Sequence, residues 1–405
     1  MITISDAIEI IGRETFSLKA ETIDLDEAVN RVLAEDVFAD MDLPPFNRSQ
    51  MDGFALRAQD SKTASEENPV KLKIIGESIA GKGFDGKIKR GETVRIMTGA
   101  RVADGADAVQ KKESTRESHD ENGESFVEIL EAANLKQNII DRAEEIENGA
   151  KIFGEGEIIG ARMIAALASF GYAKLKVAKK PRVAILATGS EIVGVDEKPG
   201  DDQIRNSNSI MLKIFAEKYA ATEVLPIVRD EIQNLKSKIL NAAETCDVLI
   251  ISGGVSVGDY DFTKPALREI GAEIFFEKVS LRPGKPTVFA KLNDVLIFGL
   301  PGNPVSVAVT FHLFVRLAIL RMQGAINCEP RKGFAVLSKK IKGAKERDSF
   351  LPVFVETNEQ GKLIIESLRF SGSSNFIAFS HANALVFVPK NETLEAGDVA
   401  GILFL

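Results

Sequence analysis

Three hydrophobic runs in the middle of the chain each end in a loop of glycine, proline and hydroxyl residues. R-V-A-I-L-A opens into T-G-S-E at 188–191, and D-V-L-I-I opens into S-G-G-V-S-V-G-D-Y-D at 252–261. V-L-I-F-G opens into L-P-G-N-P-V-S at 300–306. If the runs are strands of one sheet, Ser190, Ser252, Gly253, Gly254 and Ser256 share an edge with Pro301, Gly302, Asn303 and Pro304. Glycine lets backbone N–H groups come close to a ligand, and helix N-termini beyond the strands add partial positive charge. That combination suits phosphate or another polyoxygen ligand. A single such loop is as readily a tight turn; three on one edge favour a binding site. No G-x-G-x-x-G follows a strand and no G-K-[ST] occurs, so neither the dinucleotide fingerprint nor the Walker loop is present.

Two further groups could work on such a ligand. The stretch 278–293, K-V-S-L-R-P-G-K-P-T-V-F-A-K-L-N, carries Lys278, Arg282, Lys285 and Lys291 and no acid. Its prolines and glycine restrict the backbone that presents the cations. Between two glycine loops, it reads as an anion pocket in preference to a solvated edge. Acids also fall in loops: Asp52 in M-D-G-F, Glu191 in T-G-S-E, Asp230 in V-R-D, and Asp259 and Asp261 in G-D-Y-D. Carboxylates at strand ends can hold Mg²⁺ against a substrate phosphate. Taken singly, each is as well explained as a helix cap or solvated group, and Asp230 could cap a helix beginning at Glu231.

Composition narrows the classes. The net charge of −8 disfavours a nucleic-acid partner. Two cysteines, Cys246 and Cys328, and three scattered histidines, His119, His312 and His381, do not suggest a zinc cluster. Any metal should be a hard ion on carboxylates. No apolar run reads as long enough to span a bilayer, and M-I-T-I-S-D-A-I-E-I lacks the pattern of a signal peptide, so the expected compartment is the cytoplasm.

At 405 residues the chain should hold two to four domains. Residues 1–45 read as helical, with D-L-D-E at 24–27 as a capping box and Leu25, Val29, Val32 and Leu33 on one face. Residues 46–142 show short strand runs at 71–75, 92–97 and 126–130, with 111–124 as an exposed loop. Residues 143–176 return to helix, with Gly171 as C-cap. We pair this stretch with 1–45, which makes 46–142 an inserted β-rich domain. Residues 177–327 alternate strands (182–187, 224–228, 247–251, 295–299) with helices (209–219, 231–244, 305–322). This predicts a parallel α/β sheet covered on both faces, with ligands beyond the strands' carboxyl ends. Residues 328–405 read as a small β-barrel or sandwich with no helix. The fold class is therefore multidomain: a helical or extended N-terminal region, an inserted β-domain, a central α/β domain and a C-terminal β-barrel.

The ordered motifs resemble those of the MoeA family. P-P-F-N-R-S-Q-M-D-G-F-A at 44–55 and R-I-M-T-G-A at 95–100 are similar to its N-terminal motifs. T-G-S-E, S-G-G-V-S-V-G-D-Y-D, R-P-G-K-P and L-P-G-N-P-V-S resemble its α/β-domain motifs, in the same order. The resemblance covers essentially the whole chain. It implies a homodimer, with residues 1–45 and 143–176 as the dimerisation region. It also implies a transferase that inserts molybdenum from molybdate into adenylylated molybdopterin with Mg²⁺, releasing AMP. The α/β domain would be the molybdopterin-binding domain, similar to that of molybdopterin adenylyltransferases.

Carried over residue by residue, Asp52, Thr98, Glu191 and Asp261 fall on family functional positions, together with Asp230. Lys278, Arg282 and Lys285 fall on its basic segment, and Arg347 and Ser373 on positions contributed by the last domain. Asp230 and Asp261 are the implied Mg²⁺ or phosphate ligands, and Glu191 is implied either as a further ligand or as a base. Lys278, Arg282, Arg347 and Ser373 are the implied molybdate receivers. Asp52 and Thr98 would serve a neighbouring subunit's site. Transient partners would be a molybdopterin adenylyltransferase and molybdoenzyme apoproteins or their chaperones. Arg282 stands where many members have Lys, and Leu351-Pro352 replaces a segment that in many members carries a second Arg. Alternatives are adenylyl transfer to molybdopterin by the α/β domain, and a binding scaffold.

Overall fold

The computed structural model describes residues 1–229, 231–255, 261–368, 372 and 374–405. They form two compact units: residues 1–35, 155–166 and 172–405 in one, and 36–154 with 167–171 in the other. Helices run in the order α1 (Ile4–Glu14), α2 (Ala161–Ser169), α3 (Ser207–Glu217), α4 (Ile232–Ala243), α5 (Thr263–Glu269), α6 (Pro304–Thr310), α7 (Arg316–Met322) and α8 (Phe376–Ser380).

The larger unit is built on a six-stranded sheet in the order 221–224, 182–187, 248–252, 295–300, 288–292, 273–276. The first four strands are parallel, and 288–292 and 273–276 run antiparallel to their neighbours. The strand Arg182–Ala187 shows why both faces are covered. Val183 and Ile185 point into a core shared with α1, α3, α6 and α7, whereas Ala184 and Leu186 point into a second core with α4 and α5. A run apolar at every position is what period-two geometry demands of a strand buried on both sides. Each fully buried Phe or Leu in these cores contributes about 2 kcal/mol.

The alternating α/β pattern is borne out, with three adjustments. The strand expected at 224–228 runs instead over Ala221–Val224. The sheet ends in an antiparallel pair that the sequence pattern did not show. The segment 304–322 also forms a continuous apolar helical run, 83% buried, long enough by length and composition to cross a membrane. This corrects the expectation that no such run exists; its burial makes it the central core helix of this unit.

The last part of the chain closes a barrel. Strands 332–337, 348–357, 363–367, 384–388 and 399–404 each pair with two others around a ring. Leu337, Val353, Val355, Ile365, Val386 and Ile402 fill it. Closure leaves no open edge among these strands. The expectation of no helix here is corrected by the five-residue α8.

The smaller unit carries a second six-stranded sheet, in the order 108–111, 53–56, 92–96, 70–78, 125–129, 115–119. Residues 111–124, read as a loop, include the edge strand Thr115–His119. Its charged side chains suit an edge that faces water.

The N-terminal expectation is also corrected. Only α1 is an α-helix within residues 1–45, and its capping box is Thr3 with Asp6. Asp24 makes no capping bond; it ends a strand, 20–24, paired antiparallel with 174–178. Residues 25–27 are a single 3₁₀ turn. Of residues 143–176, only α2 is helical. Gly171 follows it with φ +75°, the left-handed conformation expected of a helix end.

Candidate functional site

The three glycine loops meet at one edge of the α/β sheet, joined by backbone hydrogen bonds. Thr188 N–H donates to Ser252 O at 3.0 Å, and Gly253 N–H donates to Leu300 O at 3.1 Å. Gly253 must be glycine: its φ is +103°, and a Cβ there would lie 2.4 Å from Thr188 O. Gly302 differs. A Cβ on it would meet no atom of the described residues within 4 Å, so its openness faces the space beyond the loop.

That space is a cavity of about 670 Å³ lined by Thr188, Glu191, Ser252, Gly253, Gly302, Asn303 and Pro304. Small-molecule sites typically measure about 300–1,000 Å³. Two helix N-termini open onto it. α3 contributes Asn206, Ser207 and Asn208, with the Asn206 side chain accepting from Ser209 N–H at 3.1 Å. α6 starts at Pro304, whose missing N–H costs nothing at that position. Unsatisfied N–H groups and the helix dipole make both ends favourable for anions. Ser374 and Phe376 bring the segment around α8 into the lining.

Asn208 is a site residue that the motif reading missed. Its Nδ2 donates to Ser252 Oγ at 3.1 Å and to Gly302 O at 2.6 Å, tying the second loop to the third. Its Oδ1 has no hydrogen-bond partner among the described residues. The signal was there in N-S-N at 206–208, but an Asn and Ser run before a helix reads first as a cap. Arg205, also missed, is the only Lys or Arg in the lining among the described residues. Its Nε donates to Glu197 O at 3.0 Å.

The basic segment does not line this cavity. Leu281–Arg282 pairs in parallel with 348–349, and Arg347 Nη1 donates to Leu281 O at 3.3 Å, which brings Arg347 beside the basic segment. Gly284 packs on Thr310, the last residue of α6. Gly302 lies two residues before Pro304, so the two turns sit at opposite ends of α6, which rises roughly 9 Å from Pro304 to Thr310 at about 1.5 Å per residue. Among the described residues that line the cavity, none is Lys278, Arg282, Lys285 or Arg347. The lining thus holds the glycine loops expected from the sequence but not the basic segment expected to converge with them.

The acids divide similarly. Glu191 lines the cavity and also a recess beside it with Ser190, Gly200, Asp201 and Asp202. Asp261 precedes Thr263, whose N–H donates to Gly254 O at 3.1 Å and whose hydroxyl donates to Gly253 O at 3.2 Å. Among the described residues, no three His, Cys, Asp or Glu side chains form a ready-made metal cage. Asp230, Ser256, Asp259 and Ser373 lie outside the described residues. Neither cysteine is a poised nucleophile; burial pushes the Cys246 thiol up to about 11.

In the smaller unit, Asp52 and Thr98 meet directly. One carboxylate oxygen of Asp52 accepts both the Thr98 N–H and the Thr98 hydroxyl, each at 2.7 Å. The backbone bond, then the hydroxyl bond, holds the Asp52 carboxyl below its ordinary value.

Family models match the chain in three consecutive parts. "MoeA N-terminal region (domain I and II)" covers residues 2–171, "Probable molybdopterin binding domain" covers 184–321, and "MoeA C-terminal region (domain IV)" covers 335–405. A protein named molybdopterin molybdenumtransferase from Staphylococcus aureus is 36% identical over 99% of this chain and 95% of its own length. One of the same name from Staphylococcus epidermidis is 34% identical over the same shares. The crystal structure of a molybdopterin biosynthesis MoeA protein from Pyrococcus horikoshii OT3 superposes with a TM-score of 0.84 at 28% identity, covering all of both chains. A second MoeA structure from that species gives 0.78 at 30% identity, covering 100% of this chain and 99% of the other. With glycine loops, Asp52–Thr98 motif and terminal barrel all present in a chain matched from end to end, this protein belongs to the MoeA family of molybdenum cofactor biosynthesis.

Proposed function

We propose that this chain is a molybdopterin molybdenumtransferase, which moves molybdenum from molybdate into adenylylated molybdopterin and releases AMP. The observation that carries this reading is the glycine-loop cavity, onto which two helix N-termini and the Asn208 bridge converge. A pterin with a diphosphate offers a flat ring for the enclosed part and anionic oxygens for the N–H groups. Ser190, Ser252, Gly253, Gly254 and Ser256 would hold it from one side, and Pro301, Gly302, Asn303 and Pro304 from the other. Arg205 supplies a cation at the phosphates.

The basic segment would take the second oxyanion. Lys278, Arg282, Lys285 and Arg347, with Ser373, would receive molybdate beside the dithiolene. Arg282 offers a planar fork where Lys offers a point charge, which suits two oxygens of one tetrahedral anion.

Mg²⁺ fits as a hard ion shared with substrate phosphates. Such sites need only one or two protein carboxylates, which Glu191 and Asp261, with Asp230, would provide. When bound, it offsets charge on the phosphoanhydride. Glu191, at the cavity lip, would orient the water that cleaves the anhydride.

A homodimer completes the reading, with Asp52 and Thr98 serving the neighbouring subunit's site. A molybdopterin adenylyltransferase and molybdoenzyme apoproteins or chaperones would be transient partners, in the cytoplasm. Purified protein given adenylylated molybdopterin, Mg²⁺ and molybdate should release AMP in a molybdate-dependent manner. Absence of AMP under those conditions removes the proposal.

A further inference from the structure

A second cavity of about 610 Å³ lies in the larger unit and shares no lining residue with the glycine-loop cavity. Its wall comes from the end of α3, the helical run 304–322 and the closing segments of the barrel. Three cations line it: Lys218, Arg316 and Arg331. The Lys218 ammonium and the Arg316 guanidinium each lie 5.4 Å from the centre of the Tyr219 ring, and Arg331 lies 5.8 Å from that of Phe404. No Asp or Glu side chain is in the lining, and none of the three cations is ion-paired among the described residues. The side chains of the lining are net positive in a chain of charge −8.

The remaining wall is aromatic. Phe215, Phe311 and Phe379 line the cavity with His312, whose ring centre is 4.8 Å from that of Phe215. His312 stands in a single π-helical turn, Phe311–Val315, that interrupts the helix between α6 and α7. Such turns cost regular hydrogen bonding and recur at functional sites. Burial and the neighbouring Arg316 and Lys218 push His312 down to about 4, so its imidazole is neutral at physiological pH and presents one donor and one acceptor.

We propose that this cavity binds a flat heteroaromatic ring carrying an anionic group, of the purine nucleoside monophosphate class. The ring has aromatic side chains to stack on, and the anion has three cations without competing carboxylate side chains. The neutral His312 and the Ser380 hydroxyl meet polar edges of the ring. The volume is right for one such molecule and small for a folded peptide segment.

The probe is AMP, titrated calorimetrically into the full chain, with adenosine and inorganic phosphate as separate arms. The double variant Lys218→Ser/Arg331→Ser changes two exposed side chains and should melt within a few degrees of the parent. The proposal expects that variant to weaken AMP binding at least 10-fold while Asn208→Ala retains the site. It also expects adenosine and phosphate each to bind at least 10-fold more weakly than AMP. Crystals soaked in 8-bromo-AMP should show bromine between Phe215 and Arg331, a readout independent of the variant's folding. Unchanged AMP affinity in the double variant, phosphate binding as tight as AMP, or no bromine in the cavity overturns it.

Discussion

Asn208 Nδ2 and Ser252 Oγ, 44 positions apart in the chain, are joined by a 3.1 Å hydrogen bond, and the same Nδ2 reaches Gly302 O at 2.6 Å. One amide at the start of α3 thus fixes the separation of two ligand loops. Asn208→Ala should leave both loop atoms unpaired and cost about 1 kcal/mol of stability. Its larger effect should be a rise of about 10-fold or more in the KM for adenylylated molybdopterin. Steady-state kinetics beside a melting curve separate the two effects; an unchanged KM contradicts the bridge's role.

The two loop glycines should behave oppositely. Gly253→Ala forces a Cβ to within 2.4 Å of Thr188 O at a φ of +103°, so it should destabilise the fold by about 1–3 kcal/mol. Gly302→Ala meets no atom of the described residues within 4 Å and should melt like the parent, yet lose substrate binding because the new methyl stands where the ligand approaches. Thermal melts and direct binding of the pterin substrate check this; a destabilised Gly302→Ala with normal binding would count against the assignment.

The Asp52 carboxyl is depressed by two bonds from Thr98, the backbone one being the larger cause. A depressed carboxyl stabilises the fold above its unfolded value of 3.8 and loses that contribution as pH falls through the lower folded value. Thr98→Val keeps the N–H and removes the hydroxyl, so Asp52 should titrate closer to 3.8 than in the parent, though still below it. Carbon NMR of the side-chain carboxyl reads this directly, and an identical titration in both proteins refutes it.

Arg347 donates to Leu281 O beside Arg282, in the region assigned to molybdate. Arg347→Gln should raise the KM for molybdate about 10-fold while leaving the affinity for adenylylated molybdopterin unchanged. If the pterin affinity falls and the molybdate KM does not, the division into two regions is wrong.

Much of the architecture could be read from the chain because both strand and helix left a period. Arg182–Ala187 is apolar beyond its first residue, as a strand buried on two faces must be, and the glycine loops follow such runs directly. The reading failed where tertiary pairing overrode a local pattern. D-L-D-E satisfies a capping box, but Asp24 is held in a strand by its pairing with Lys174, and an ion pair between the two side chains reinforces this. Thr115–His119 is polar because it sits at a sheet edge, and polarity alone resembled a loop. At the site, loop glycines announced themselves by type. Asn208 acts through partners 44 and 94 residues away, a relationship no local spacing encodes. The charges of the basic segment were evident in the sequence, but the packing of Gly284 on Thr310, at the end of α6 away from Gly302, was not.

The most direct measurement is a crystal structure of this protein with adenylylated molybdopterin. The account predicts phosphate oxygens within hydrogen-bond distance of the Gly302–Pro304 loop and the start of α3, with the pterin enclosed between the Ser252 and Gly302 loops. A pterin bound elsewhere, with the space next to Gly302 filled only by solvent, would contradict it.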